Sequence, residues 1–83
     1  MSESKTMHLV ISRVDEPIFE GQVRAVSVPG VAGDMQILPH HEPLISPLKK
    51  GVVTIYKNND KKESHIIDAG TLEVSNNQVT ILI

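Results

Sequence analysis

The sequence predicts an all-β domain, a flattened sandwich or barrel of about nine to ten short, mainly antiparallel strands. Three observations predict it. Apolar residues recur at period two in short runs, and no long stretch repeats at the helical period. Turn residues interrupt those runs at close spacing. Valine and isoleucine dominate an apolar fraction of 40%, in which Tyr56 and Phe19 are the only aromatics and Trp is absent. Such β-branched side chains lose χ1 freedom in helices and pack well on a pleated surface.

Met7, Leu9 and Ile11 share one face of a first strand. Asp15-Glu16-Pro17 is expected to end it, because proline removes a ladder donor and restricts the residue before it. Ile18-Phe19 opens a second short strand that Gly21 interrupts. Val23 to Val28 forms a third, with Val26 and Val28 pointing the same way, and Pro29-Gly30 closes it. Gly30, Gly33 and Asp34 fit a tight turn, after which Met35 to Leu38 makes another strand bounded by Pro39. The spacing of Pro39, Pro43 and Pro47 forbids a stable helix and leaves edge or extended segments between the prolines. Gly51 opens the strand Val52 to Lys57, and the loop Asn58-Asn59-Asp60 leads to His65-Ile66-Ile67. Beyond Gly70, Leu72 and Val74 alternate with polar neighbours, Asn76-Asn77 makes a two-residue turn, and Val79, Ile81 and Ile83 form the final strand.

Eighty-three residues make one domain, residues 1–83, with no internal repeat, low-complexity stretch or linker. The absence of cysteine excludes a disulfide scaffold, a thiolate zinc site and a cysteine nucleophile, and it favours a reducing compartment. The polar start, Met1 to Thr6, has neither a basic n-region followed by an apolar run nor an Arg-rich transit pattern, so a cytosolic start is expected. No apolar stretch approaches the roughly 20 residues that cross a bilayer, so membrane association is expected only through a partner. A net charge of −2 speaks against nucleic acid, and Lys49-Lys50 and Lys61-Lys62 are too short to make a basic face. A small chain without staples has a thin stability margin, to which docking on a partner adds by mass action.

The search for chemistry ends without an active site. His40-His41-Glu42 is the one local cluster of metal-ligand types, but adjacent strand residues point to opposite faces, so a surface loop is the better account. His8 and His65 read as half-exposed strand positions. Gly30-Val31-Ala32-Gly33-Asp34 lacks the lysine and helix N-terminus of a phosphate loop. Ser27, Ser46 and Ser64 lie outside any nucleophile elbow, and Asp15 and Glu16 are consecutive acids in a turn. No catalytic residue, cofactor site or metal site is therefore assigned. The segment Gly33 to Leu44 remains unusual, with rigid prolines and a charged rim around Met35, Ile37 and Leu38. A pre-ordered contact surface and a simple proline-rich connection account for it equally well.

The chain resembles the epsilon subunit of F-type ATP synthases, the equivalent of the mitochondrial delta subunit, nearly end to end. Phe19-Glu20-Gly21-Gln22-Val23 matches a Phe-x-Gly-x-Val element, and Gly33 through Leu44 matches Gly-Glu-x-Gly-Ile-Leu-Pro-x-His-x-Pro-Leu with His41, Pro43 and Leu44 in register. Gly51 follows at the family's distance. Gly70-Thr71-Leu72-Glu73-Val74 and Asn77 to Leu82 resemble its closing elements. Asp34 replaces the usual glutamate and keeps its charge, and Gln36 stands where glycine is common. The C-terminal helical hairpin usual in the family lies outside these 83 residues, and if Ile83 is the natural end, hairpin-based inhibition and hairpin nucleotide binding are not expected to carry over.

The resemblance implies a non-catalytic rotor part at the foot of the central stalk of a proton-translocating synthase, coupling the gamma subunit to the c-ring. It implies Asp34 and Met35 toward the ring loops, and His41, Pro43 and Leu44 toward gamma. The implied location is peripheral, on the cytoplasmic face of the bacterial inner membrane or the stromal face of the plastid thylakoid. Two rivals stand beside it: a free-standing β-sandwich adaptor, and a small cupin-like metal enzyme using His40, His41 and Glu42.

Overall fold

The computed structural model describes residues 5–83. The first four residues of the polar start read above lie outside the described residues. Eight strands follow one another: β1 (Met7–Arg13), β2 (Glu16–Gly30), β3 (Gly33–Ile37), β4 (Leu44–Leu48), β5 (Gly51–Lys57), β6 (Lys62–Ile67), β7 (Gly70–Ser75) and β8 (Gln78–Leu82). They form one sheet in the order β1-β8-β7-β4-β2-β5-β6, with β3 also on β2 and β1 also on β2. The path β2-β1-β8-β7-β4 returns to β2 through the pair Gly30↔Leu48, so this part of the sheet closes on itself like a barrel. Strands β3, β5 and β6 extend it from the C-terminal half of β2. All pairings are antiparallel except β1 with β8.

The strands predicted on either side of Gly21 are one strand, and Pro17 lies inside it. Gly21 stays in the ladder opposite Leu9, because main-chain pairing needs no side chain, and the Phe19 ring lies 3.6 Å from the place a Cβ would take. Pro17 follows Glu16 at the strand's beginning, where a missing donor is tolerated. A straight 15-residue strand would run roughly 50 Å at about 3.3 Å per residue. The longest dimension of the molecule is 39 Å, so β2 must bend. It bends at two irregularities of register, which leave Ile18 and Arg24 without partners across the ladder. The second shifts the inward phase from Val23 to Val26 and Val28, which all join the core, while Ala25, opposite Tyr56 on the other face, is also buried. The bulged Arg24 turns outward, donates from Nε to Lys57 O at 3.1 Å and meets Asp60 at 3.3 Å, tying the bend to the β5–β6 loop.

The core is aliphatic, as composition requires. Leu9, Ile11, Val23, Val26, Val53, Ile55, Leu72, Val79 and Ile81 are fully shielded from solvent, and no polar side chain among the described residues is buried with them. Phe19 only packs against the edge of this core, with the Lys57 ammonium 5.8 Å from its ring centre. Beside it Glu63 meets Lys57 at 2.7 Å and His65 at 2.7 Å, and hydrogen bonds from Lys57 and then His65 hold its carboxyl below the usual carboxylate range.

The turns follow the predicted chemistry. Asn76 and Asn77 both take left-handed backbone, φ 52° and 60°, as a two-residue hairpin turn of the right twist demands. Gly33, at φ 138°, ends the Val31-Ala32 turn in a conformation that side chains disfavour. The prolines leave room for β4, which pairs with β7 through Pro47↔Thr71 and needs no donor from Pro47 there.

Candidate docking surfaces

The unusual segment Gly33 to Leu44 is strand β3, a loop and the start of β4, and it exposes different residues at its two ends. At the first end Asp34 lies opposite Pro29 and Met35 opposite Val28 in the β2–β3 hairpin. Alternation along the strand sends Asp34 and Gln36 outward, whereas Met35 packs against the edge of the core. Gln36 therefore fits where the resembling family often has glycine, because its side chain enters solvent beside Ser27. The hairpin tip is fixed to its neighbour strand by Val31 N donating to Pro47 O at 3.1 Å and Lys49 N donating to Pro29 O at 2.9 Å.

Asp34 shares an open groove of about 680 Å³ with Lys49, Lys50, Val52, Thr54 and Tyr56. One acidic and two basic residues thus line the same space. Val52 is 49% exposed and its cross-strand partner Ile66 is 75% exposed, an apolar pair at the groove's margin. Lys62 stands over Tyr56, 5.5 Å from its ring centre.

At the far end of β3 the chain turns through Leu38 to Pro43. His41 N donates to Leu38 O at 3.2 Å, and His40 N donates to Asn77 Oδ1 at 2.8 Å. His40 takes left-handed backbone, φ 64°. His41 Nδ1 lies 2.8 Å from Glu42 O and must carry the proton there, since a carbonyl only accepts. In the neutral ring Nε2 is then the acceptor. Pro43 and Leu44 line a shallow groove along β4 and β7 with Ile45 and Glu73. Ile45, opposite Glu73, is 73% exposed.

His41, Pro43 and Leu44 lie together beyond the C-terminal end of β3, whereas Asp34 lies near the start of that strand and Met35 at its middle. His40, His41 and Glu42 do not converge: among the described residues no group of three or more histidines and acids could hold a metal ion. Several surface residues escape the sequence. Nothing in it marks Ile45 and Ile66 as exposed, since exposure cannot be assigned before sheet faces are known. Lys49 and Lys50 bear in the sequence only on nucleic acid, though their turn places them beside Asp34. Asn77 reads as a turn residue, and nothing in its spacing points to His40.

A profile of the β-sandwich domain of the ATP synthase delta/epsilon chain matches residues 6–83. The ATP synthase epsilon chain of Polaromonas naphthalenivorans is 40% identical over 77 residues, covering 93% of this chain and 56% of that one. The epsilon chain of a Nitratiruptor species is 42% identical over 78 residues, covering 94% and 60%. The chain therefore spans little more than half the length of these relatives. Among solved structures, a chain of the Euglena gracilis mitochondrial ATP synthase assembly of OSCP, F1 and c-ring superposes with a TM-score of 0.91 at 25% identity, over 99% of this chain and 52% of its own. A chain of the Tetrahymena thermophila mitochondrial ATP synthase central stalk and c-ring, at 13% identity and a TM-score of 0.75 over 99% and 65%, shares the fold.

Proposed function

This chain belongs to the ATP synthase delta/epsilon-chain family through its β-sandwich domain, and on that premise we propose that it is a non-catalytic rotor subunit coupling gamma to the c-ring during rotary ATP synthesis. The observation that carries the reading is a pair of surface sites held by main-chain and side-chain bonds, one on β3 and one beyond its C-terminal end, within residues 6–83 that match the family's β-sandwich domain. Torque must pass through such a subunit without shear inside it. A sheet that closes on itself through β2, around an aliphatic core with no buried polar side chain among the described residues, resists that deformation.

In this reading Asp34 and Met35 meet the polar loops of the ring, and His41, Pro43 and Leu44 meet gamma. The location is peripheral, held through the complex on the cytoplasmic face of a bacterial inner membrane or the stromal face of a thylakoid. No helix among the described residues is long and apolar enough to cross a membrane.

Titration of the purified chain with gamma from the same source, followed by heat and by backbone NMR shifts, tests the reading. Saturable one-to-one binding with shifts centred on His41 is expected. No binding at tens of micromolar, where a specific interface of ordinary size registers, would favour a free-standing adaptor. For the ring contact, Asp34→Lys in the assembled synthase is expected to weaken ATP-driven proton pumping, because it places a third ammonium beside Lys49 and Lys50. Since Asp34 is exposed, the isolated domain should keep its stability within about 0.5 kcal/mol. Undiminished pumping would remove Asp34 from the ring contact.

A further inference from the structure

We infer that Asn77 is a positioning residue that holds the Leu38–Pro43 loop in its docking geometry, an inference that rests on the proposed use of that loop against gamma. Three segments distant in sequence meet at this one residue. Its Oδ1 accepts from His40 N at 2.8 Å, its Nδ2 donates to Thr6 O at 2.9 Å, and its main-chain oxygen accepts from His8 N at 3.2 Å. The amide orientation is fixed by these partners, because an N–H needs an acceptor and a carbonyl oxygen needs a donor. Only a side chain carrying both functions can make both contacts at once.

The turn alone does not require this. A two-residue turn with φ above zero is satisfied by glycine at either position, and the hydrogen bond from the loop goes to Asn77 and not to Asn76 at the first position. At Asn77 the side chain reaches out of its own hairpin. The loop needs such support: His40 sits in left-handed backbone that side chains disfavour, immediately before His41, and its amide is anchored on Asn77. Thr6, held by the same amide, passes the restraint onward, since its Oγ1 donates to Gln22 Oε1 at 3.0 Å on β2. The docking loop is thereby referenced to the start of β1, to β2 and to the β7–β8 hairpin together.

Asn77→Gly is the decisive variant. It keeps the backbone conformation and the main-chain bond from His8, and it removes only the two side-chain bonds. Asn76→Gly is its control in the same turn. A loop that occupies its docking geometry for only a fraction of the time binds more weakly by that fraction. Two lost hydrogen bonds correspond to at most about a 5- to 150-fold loss of gamma affinity. Amide hydrogen exchange of His40 and His41 in the free chain should quicken in Asn77→Gly and stay unchanged in Asn76→Gly. Wild-type gamma affinity or wild-type exchange in Asn77→Gly would overturn the inference. His41→Ala separates it from the docking reading. If that variant binds gamma normally, the reading fails, and exchange in Asn77→Gly alone then decides: faster exchange upholds the positioning role, and unchanged exchange overturns it.

Discussion

Replacing Ile81 with alanine is expected to remove about 2–5 kcal/mol of folding stability, the range found when a large aliphatic is truncated in a packed core. Ile81 lies opposite Leu72 on one side and Ile11 on the other, and all three are completely shielded from solvent. The space left behind is walled by strands β1 and β7, whose main chains are fixed by ladder bonds to β8, so they cannot move in to fill it. For an 83-residue domain the whole stability is on the order of 4–12 kcal/mol. One truncation therefore takes a large share of it. The melting temperature should fall by roughly 8–40 °C, given about 4–8 °C per kcal/mol at this size. Urea denaturation checks the energy, with the midpoint moving and the slope unchanged. A loss under about 1 kcal/mol would show that the β1-β8-β7 layer collapses around the gap and is not closely packed.

The second large effect is expected at Gly30, where the closed part of the sheet meets the hairpin that presents Asp34. A Cβ added there would lie 2.6 Å from Gly33 O and 2.9 Å from Met35 Cε. Methionine can move, but Gly33 O belongs to the backbone that pairs with Gly30 to close the hairpin. Gly30 also forms the bridge to Leu48 that closes the barrel. Gly30→Ala must therefore push β3 outward or open the contact with β4, at a cost of about 1–3 kcal/mol. Either movement shifts Asp34 and Met35, so their amide resonances should change while those near Asn77 stay in place. Gly21→Ala makes the contrast: its nearest atoms, the ring carbons of Phe19, are 3.6 and 3.8 Å from the new methyl, an ordinary packing distance. Equal losses in the two variants would mean that the close approach at Gly30 does not govern the hairpin.

Local chemistry is legible in the sequence because it depends on few residues at a time. Period-two alternation places Met7, Leu9 and Ile11 on one buried face, and Val79 and Ile81 on another. The Asn76-Asn77 turn is readable because the tight hairpin demands left-handed backbone that asparagine tolerates. Gly21 and Pro17 mislead for the same local reason. Each weakens an isolated strand, but β2 is held by partners along its length, and the Phe19 ring covers Gly21 where a side chain is missing. The motif from Gly33 to Leu44 points to Asp34 and His41. Their placement, one on β3 and one beyond its C-terminal end, needs the extent of that strand.

The amino-acid sequence by itself determined an all-β domain with an aliphatic core, its turns, and the extended, proline-bounded character of the segment Gly33 to Leu44, since propensity, alternation and proline geometry act within a few residues. Only the tertiary structure decided which aliphatics face water, because Ile45 and Ile66 have the same chemistry as Ile55 and differ only in which face of the sheet carries them. It also decided that the sheet closes through Gly30 and Leu48, and that Asn77 reaches His40 and Thr6. Such contacts join residues far apart in the chain, and their partners are set by strand order and register, which no single stretch of sequence encodes.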